Sequence, residues 1–343
     1  MQRCLLPLVL AAALATPASA TLVAHWTFDT DFSDSAGSFN LTGNNGAAAG
    51  ATTAILGGGA MGGAGGGALD GNDDYAITSS NIGISGSAAR TISVWIKVPA
   101  DTGASNNPVD NGPTFVGMGG TTNYTRYDLR LSNSTGSVSN AYAGYIRLEI
   151  QGGNTMSTSD LGLNNDAWHN VVLTHDGTGT LAGTTFYVDG KAVARTTPTT
   201  SVNTTNAPLY VGSSPHTADN YRNANGFIDD TGLWNDALDA AGAATLNGLG
   251  RIGDNNLSWL DEAQALWAGN VGDTATINGA TWEKVTGLTG ALGDWSQVGG
   301  ANGQGSFVVL DAANGGGIQI VPEPTVALLG GLGLLGLLRR RRA

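Results

Sequence analysis

Residues 168–193 read WHNVVLTHDGTGTLAGTTFYVDGKAV, and this stretch decides the fold class. An apolar strand at 167–175 is followed, after a glycine-rich turn, by a hairpin at 184–194. The turn of the hairpin, Asp189-Gly190, is a two-residue pair of the kind that adopts positive φ between antiparallel strands. The stretch therefore predicts antiparallel β-structure rather than helix.

Short predicted strands of the same kind recur on both sides of this stretch. Residues 90–98 alternate in polarity, which places Ile92, Val94, Ile96 and Val98 on one face of a strand. Further strands are predicted at 22–28, 127–131, 144–150, 207–213 and 225–235. Many short strands separated by Gly, Asn, Asp and Pro, with little helix, predict an all-β, two-sheet antiparallel sandwich.

The sequence after the last predicted strand changes character. Residues 235–250 predict a helix with Asn235 or Asp236 as its N-cap. Residues 251–320 predict a small α+β appendix to the sandwich. Its elements are a helix at 257–269, a hairpin at 274–285 around Asn278-Gly279, and strands at 306–311 and 318–321.

Composition and charge limit the classes of partner. The chain has 53 glycines and only 12% charged residues, but its 41% hydrophobic residues allow a core. Residues 21–320 hold 26 acidic against 10 basic residues, a net charge of −16. This charge disfavours phosphate-rich partners and excludes nucleic acid as an expected partner, whereas it permits a divalent cation.

The first 20 residues have the pattern of a secretory signal. Arg3 precedes an apolar run from Leu5 to Ala15, and small residues at Ala18 and Ala20 predict cleavage after Ala20. An N-terminal membrane anchor is the alternative, but the apolar run is short for a span. The only cysteine, Cys4, lies inside this segment, so residues 21–343 contain no thiol or disulfide.

Six stretches, in order, carry a resemblance over residues 21–250. They are LVAHWTFD, GGALDGNDDYAI, RTISVWIKV, WHNVVLTHDGTGT with FYVDGKAV, LYVGS, and GFIDDTGLWNDALDAAGAATL. In this order they resemble the laminin G-like, concanavalin A-like jelly-roll family of bacterial surface proteins. The resemblance implies a jelly roll of twelve or so strands with one concave sheet. It also implies a binding or adhesion module, with an extracellular polysaccharide or a surface protein as ligand, more often than an enzyme.

The C-terminal residues 321–343 form a three-part tail. Val321, Pro322, Glu323 and Pro324 are followed by an uncharged apolar run, Thr325–Leu338, which predicts a short hydrophobic helix. The basic cluster that ends the tail consists of Arg339, Arg340, Arg341 and Arg342. Fourteen helical residues span about 21 Å, less than the roughly 30 Å of a hydrocarbon core, and the arginines mark the cytoplasmic side.

The tail resembles the PEP-CTERM sorting signal. That resemblance implies that the helix holds the exported protein transiently in the inner membrane, and that the peptidase exosortase processes it at residues 321–324. It further implies a final location at the cell surface or in the extracellular matrix of a Gram-negative-type bacterium. A permanent tail anchor is the alternative.

Catalytic patterns are sparse, so we expect no enzyme activity. Glycoside hydrolases need two carboxylates beside the scissile bond. Glu149 is the only glutamate in the predicted sandwich, and it has no second acid two or five residues further along its strand. A G-x-S-x-G nucleophile elbow is absent from the sequence. A divergent glycoside hydrolase or polysaccharide lyase is the main alternative to a binding module, and a purely structural surface component is the second.

A structural calcium ion is the one cofactor that the resemblance implies. In the family, an acid of the last sandwich strand often meets the loop after the first strand. The matching residues here are Asp230 and either Asp31 or Asp34, and calcium takes carboxylate ligands. In the alternative interpretation Asp34 only caps its own loop as an Asx-turn and Asp230 is solvated.

Overall fold

A computed structural model describes the chain in eleven segments, mostly as β-strands. They are residues 20–51, 59–100, 112–132, 144–150, 155–216, 223–251, 260–277, 280–288, 295–296, 307–311 and 315–321. The strands form two large antiparallel sheets and one smaller sheet. The all-β, two-sheet antiparallel sandwich predicted from the sequence is confirmed.

The nine-stranded sheet contains both the first and the last strand of the sandwich. Its strands, numbered along the chain, are β1 (Leu22–Trp26), β3 (Ala48–Ala51), β4 (Ala60–Gly62), β5 (Leu69–Asp70), β7 (Arg90–Lys97), β12 (Trp168–His175), β13 (Thr184–Val188), β14 (Lys191–Ala192) and β16 (Asn225–Trp234). Their order is β14-β13-β12-β7-β16-β4-β3, and β1 and β5 also pair with β16.

The seven-stranded sheet forms the other half of the sandwich. Its strands are β2 (Leu41–Asn44), β6 (Tyr75–Thr78), β8 (Thr114–Gly119), β9 (Arg126–Ser132), β10 (Tyr145–Glu149), β11 (Thr155–Asp160) and β15 (Tyr210–Val211), in the order β11-β10-β9-β8-β15-β6-β2. The two sheets together exceed the twelve or so strands that the resemblance implied, because pieces of two to four residues pair separately.

The main core lies between the two sheets. Alternate residues of β7, namely Ile92, Val94 and Ile96, are fully buried there, as the alternation of the sequence predicted. Leu129 and Leu131 of β9 meet them from the other sheet within the same buried cluster. Because side chains alternate along a strand, the remaining residues of each strand point to the outer faces of the sandwich.

The stretch that decides the fold class adopts the predicted hairpin. β12 pairs with β13 in the register Val171 to Val188, and β13 turns into β14. Asp189 has φ 48° and Gly190 has φ 76° at the two central turn positions, as a two-residue hairpin turn requires. The other edge of β12 pairs with β7, so the β13–β14 hairpin forms one edge of the nine-stranded sheet.

A helix covers the outer face of the nine-stranded sheet. Helix α1 (Ala240–Arg251) follows β16, and its Ala243 and Leu246 pack in a second buried cluster with Val172 and Trp234 of the sheet. A Cβ added to Gly250 would lie 2.3 Å from the ring of Trp95, so the helix touches the sheet there. Helix α1 therefore covers part of this outer face with an apolar contact.

The start of α1 differs from the sequence prediction. The helix begins at Ala240, not near 235, and Asp239 Oδ1 accepts a hydrogen bond from Gly242 N at 2.8 Å, which makes Asp239 the N-cap. Asn235 is not the cap because its side chain binds the backbone N–H of Thr21, at 3.2 Å, beside the first strand. Asp236 is not the cap either, since its side chain binds only the next amide.

A five-stranded sheet and a second helix follow α1. The sheet comprises β17 (Thr274–Ile277), β18 (Ala280–Thr286), β19 (Trp295–Ser296), β20 (Phe307–Asp311) and β21 (Gly316–Ile320), in the order β17-β18-β21-β20-β19, and helix α2 spans Leu260–Ala268. The predicted helix and hairpin of the appendix thus exist. Within the described segments, neither helix has the length and apolar character to cross a membrane.

Candidate functional site

Asp34, one of the predicted calcium ligands, is the cap of its own loop. Its Oδ1 accepts hydrogen bonds from the backbone N–H groups of His25, Ala36 and Gly37 at 2.9–3.0 Å, and its Oδ2 accepts one from Phe39 at 2.9 Å. An oxygen with three such donors has no lone pair left for a metal ion. Asp34 therefore has the bonds of the capping alternative.

Asp230, the second predicted ligand, is buried and contacts His25. Asp230 Oδ1 meets His25 Nε2, which joins β16 to β1, and Ser35 Oγ lies 2.8 Å from His25 Nδ1. The alternative interpretation, in which Asp230 is solvated, is wrong. Asp230 is 3% exposed and has a φ of 45° at an irregularity of β16. Burial raises the pKa of Asp230, and the neighbouring His25 opposes that rise.

The third predicted ligand, Asp31, is exposed and caps Ser33 N at 2.8 Å. The resemblance placed calcium between this loop and Asp230. In the described geometry His25 contacts the Asp230 carboxylate, three backbone amides saturate Oδ1 of Asp34, and a fourth donates to its Oδ2. These residues do not fit a shared calcium ion.

Ser35, His25 and Asp230 are connected in the order of a serine-nucleophile triad. A nucleophilic serine also needs nearby N–H donors for the developing oxyanion. The N–H of Ser35 donates to His25 O at 2.8 Å, and the next two amides both donate to Asp34. The donors closest to Ser35 are thus used inside the loop, and the three residues form a clip between the first and last strands.

A separate group of carboxylates, which the sequence analysis did not single out, lies at Asp70, Asp73 and Asp74. One oxygen from each residue lies within 4.8 Å of the others. Asp74 is buried, and burial together with the two neighbouring carboxylates raises its pKa. This arrangement is common on acidic surfaces, and by itself it does not establish a metal site.

The outer face of the seven-stranded sheet, which we call the polar face, carries the densest cluster of charges. It is formed on two adjacent strands by Arg126, Asp128, Arg130, Arg147 and Glu149. The residues between them, Leu129 and Leu148 among others, belong to the core. Helix α1 covers the opposite side of the sandwich, so the two outer faces differ in chemistry.

Glu149 is the centre of this cluster. Its two carboxylate oxygens contact Arg126 Nη2 and Arg130 Nη1, and Arg147 Nη2 lies 3.5 Å from Oε2. Arg126 Nε also lies 2.9 Å from Asp128 Oδ2. Arg126, Asp128 and Arg130 are fully buried. The cluster is therefore a buried ion-pair network with its outer part at Arg147.

Asp128 is a functional candidate that the sequence analysis missed. It lies directly opposite Glu149 in the pairing of β9 with β10, so the polar face holds a carboxylate pair across two strands. Burial raises the pKa of Asp128 to about 6, against the opposing effect of Arg126. Ser214 Oγ donates to Asp128 Oδ2 at 2.6 Å. A search along one strand cannot find such a pair, but charges at every second residue of 126–130 and 147–149 were a visible signal.

Two tyrosines share the polar face with the charges. Tyr210 lies opposite Gly117, which lies opposite Asp128, so the three form one row across the sheet. The ring of Tyr75 lies 5.8 Å from that of Tyr210. A Cβ at Gly117 would meet Ser213 O at 2.7 Å, which shows that the chain after β15 crosses over this glycine.

The predicted processing sites lie at the limits of the described chain. Ala20 is partly buried against the cluster under α1, while Ala18 lies outside the described residues. Val321 N donates to Thr281 O at 2.7 Å, which extends the pairing of β21 with β18. Pro322, Glu323, Pro324, the predicted hydrophobic helix and Arg339–Arg342 lie outside the described residues.

A family model described as the concanavalin A-like lectin/glucanases superfamily, of the laminin G type, matches residues 70–244. The chain belongs to this superfamily. The match covers β6 to β16 and thus includes the charged cluster and both tyrosines of the polar face. No curated protein matches the sequence.

Solved structures similar to this chain include one domain of an arabinanase and the binding domains of two other proteins. Domain 4 of AbnA, an extracellular arabinanase of Geobacillus stearothermophilus solved with arabinotriose, is 20% identical, with a TM-score of 0.47, covering 66% of this chain and 98% of that one. The binding domain of Paraclostridial Mosquitocidal Protein 1 is 15% identical, with a TM-score of 0.47. The alignment covers 88% of this chain and 73% of that domain. The receptor-binding domain of botulinum neurotoxin D is 15% identical, with a TM-score of 0.45. The alignment covers 68% of this chain and 53% of that domain.

Proposed function

We propose that this superfamily member is an exported, non-catalytic module that binds a glycan or a surface protein in an extracellular matrix. The observation that carries the proposal is the difference between the two outer faces. Helix α1 buries one face, whereas the polar face keeps partly exposed tyrosines beside arginines. Tyrosine rings and arginines are side chains enriched where proteins recognise ligands.

The bonds of Glu149 support binding rather than catalysis. A catalytic carboxylate must reach the scissile bond. Glu149 is held between the guanidinium groups of Arg126 and Arg130, and Asp128 opposite it is fully buried. Moving either carboxylate onto a substrate would leave buried arginine charge without its partner, which is costly.

A glycan array probed with the purified chain tests this function. We expect binding to at least one glycan, weakened by Tyr145→Ala on β10 and unchanged by Lys97→Gln on the other sheet. Tyr145 lies on the polar face and is partly exposed, while Lys97 is a partly exposed residue outside it. No binding to any glycan, together with no partner in a pull-down of surface proteins, would contradict the proposal.

A divergent glycan hydrolase is the second candidate, and the Asp128–Glu149 pair is the observation that favours it. Residues directly opposite on antiparallel strands have Cβ atoms about 5 Å apart, near the carboxylate separation of retaining enzymes. We expect no turnover on a panel of α- and β-glucans, agar, xylan and alginate. Turnover that is lost in both Glu149→Gln and Asp128→Asn, with folding retained, would replace the binding proposal by the enzyme.

We also propose that exosortase sorts the protein through residues 321–343. The support is the order of the motif, the apolar run and the arginine cluster in the sequence. Prolines at 322 and 324 favour an extended backbone before them, the form in which a peptidase binds its substrate.

A further inference from the structure

Exposure rises along β10 toward Tyr145. Ile146 and Leu148 belong to the core, so Tyr145, Arg147 and Glu149 share the polar face. The Glu149 side chain is 8% exposed, the Arg147 side chain is 18% exposed, and Tyr145 is partly exposed. β10 is therefore more exposed at its Tyr145 end than at its Glu149 end.

Arg147 is the most exposed of the three arginines that contact Glu149. Its contact with Glu149 is 3.5 Å long, the longest of the three arginine contacts to that carboxylate. Arg126 and Arg130 hold Glu149 at shorter distances in full burial. If Arg147 turns toward a ligand, Glu149 keeps two cationic partners.

The neighbours of Arg147 favour an incoming anion. Arg147 lies directly opposite Arg130 in the β9–β10 register, and like charges in this position repel each other. On its other side Arg147 lies opposite Ser157 of β11, a partly exposed hydroxyl residue. A carboxylate at this position would reduce the repulsion and lie near a hydroxyl donor.

We propose that the Tyr145 end of the polar face binds a glycan through a sugar that carries a carboxylate, a uronic acid. The proposal rests on the glycan-binding function and names its ligand class. Tyr145 would stack on the sugar ring, and Arg147 would donate two parallel hydrogen bonds to the carboxylate. Alternate residues of a strand are about 7 Å apart, which suits a pyranose ring and its exocyclic carboxylate.

The net negative charge of residues 21–320 limits the ligand class further. Residues 21–320 carry 26 acidic and 10 basic residues, so the chain repels a dense polyanion at long range. Salt screens this repulsion beyond about 8 Å at physiological ionic strength, whereas a contact pair is screened less. The site therefore suits separated uronic acids in a glycan and disfavours densely sulfated or phosphorylated chains.

Calorimetric titration of the purified chain with paired trisaccharides tests the proposal. The probes are trimers of galacturonate, mannuronate and glucuronate. Each is compared with its methyl ester, in which the carboxylate group is uncharged. We expect at least one acid to bind better than its ester, and Arg147→Gln to weaken the acid about tenfold while changing the ester less than twofold. Arg147→Lys keeps the charge but loses the two-bond geometry, so an intermediate loss is expected.

Lys97→Gln is the matched control. Lys97 is 21% exposed and contacts Asp166 at 3.5 Å on the other sheet, so it resembles Arg147 in exposure and in contact length. Equal binding of acid and ester, equal losses in both variants, or no binding of any acid trimer would overturn this inference. A positive array in any of these cases would leave the glycan-binding function standing, so the two failures are distinguishable.

Discussion

His25 of the first strand and Asp230 of the last strand form a buried side-chain pair, with Asp230 Oδ1 against His25 Nε2. The two residues are 205 positions apart in the sequence. Ser35 and the Asp34 cap hold the other side of the histidine and its backbone. The edge of the sandwich where the chain enters and leaves is thus closed by hydrogen bonds.

The His25–Asp230 pair should contribute strongly to stability. Replacing Asp230 with alanine leaves a buried histidine without its partner, so we expect a loss of about 3–5 kcal/mol in the free energy of unfolding. Urea denaturation measures the change. Asp31→Ala, which alters an exposed residue of the nearby loop, is the control and should leave the midpoint unchanged. Equal midpoints for the two variants would contradict the clip.

Calcium should not stabilise the protein through Asp31, Asp34 and Asp230. Because four backbone amides already donate to the Asp34 carboxylate, thermal melts in calcium and in chelator are expected to share one midpoint. A site saturated a hundredfold above its dissociation constant would instead add about 2.7 kcal/mol. A shift that disappears in Asp230→Ala would restore the calcium site of the sequence analysis. A shift that survives there and disappears in Asp74→Asn would assign calcium to residues 70–74.

The stability of the polar face should depend on pH through Asp128. Its pKa is raised to about 6 in the folded chain, so the folded state binds the proton more tightly than the unfolded state does. This contribution is fully present below about pH 4 and is lost as pH rises through about 6. The advantage of Asp128→Asn over the wild type should therefore grow from pH 4 to 6 and then level off. Urea midpoints of both proteins across pH 4–7 measure it, and a constant difference would refute the assignment.

Processing of the tail should depend on residues 321–324. Replacing Pro322, Glu323 and Pro324 by alanine is expected to leave the uncut protein in the inner membrane, because the motif read by exosortase is gone. Deleting Arg339–Arg342 should instead disturb membrane retention, since the arginines fix the cytoplasmic side. Cell fractionation and immunoblotting distinguish the two. Normal cleavage of the triple-alanine protein would exclude this sorting route.

The fold was predictable from the sequence because its signals are local. The alternation of residues 90–98 and the Asp189-Gly190 turn each determine the structure of a few neighbouring residues, and both predictions are confirmed. The predicted start of α1 is wrong because Asn235 and Asp236 are residue types that commonly cap helices. The binding of Asn235 to Thr21, 214 residues away, is not visible in the local pattern.

The candidate site was less predictable because it depends on strand register. Glu149 was recognised, but its partner Asp128 lies on a neighbouring strand, and only the pairing of β9 with β10 brings the two together. For a similar reason, the sequence alone does not distinguish calcium binding from loop capping for Asp34. Four backbone amides converge on its carboxylate, and a composition rich in aspartate cannot show that.

The pairing of β1 with β16 has a topological consequence. Leu22 lies opposite Trp234, and the backbone N–H of Asn235 donates to Thr21 O at 3.2 Å, so the sandwich begins and ends at one corner. A short linker could join these two points without crossing the domain. The sandwich is therefore suited to circular permutation, with new termini cut into an exposed turn such as Asn45-Gly46. It is equally suited to insertion as a closed loop into a longer host chain, whose own ends would stay close together.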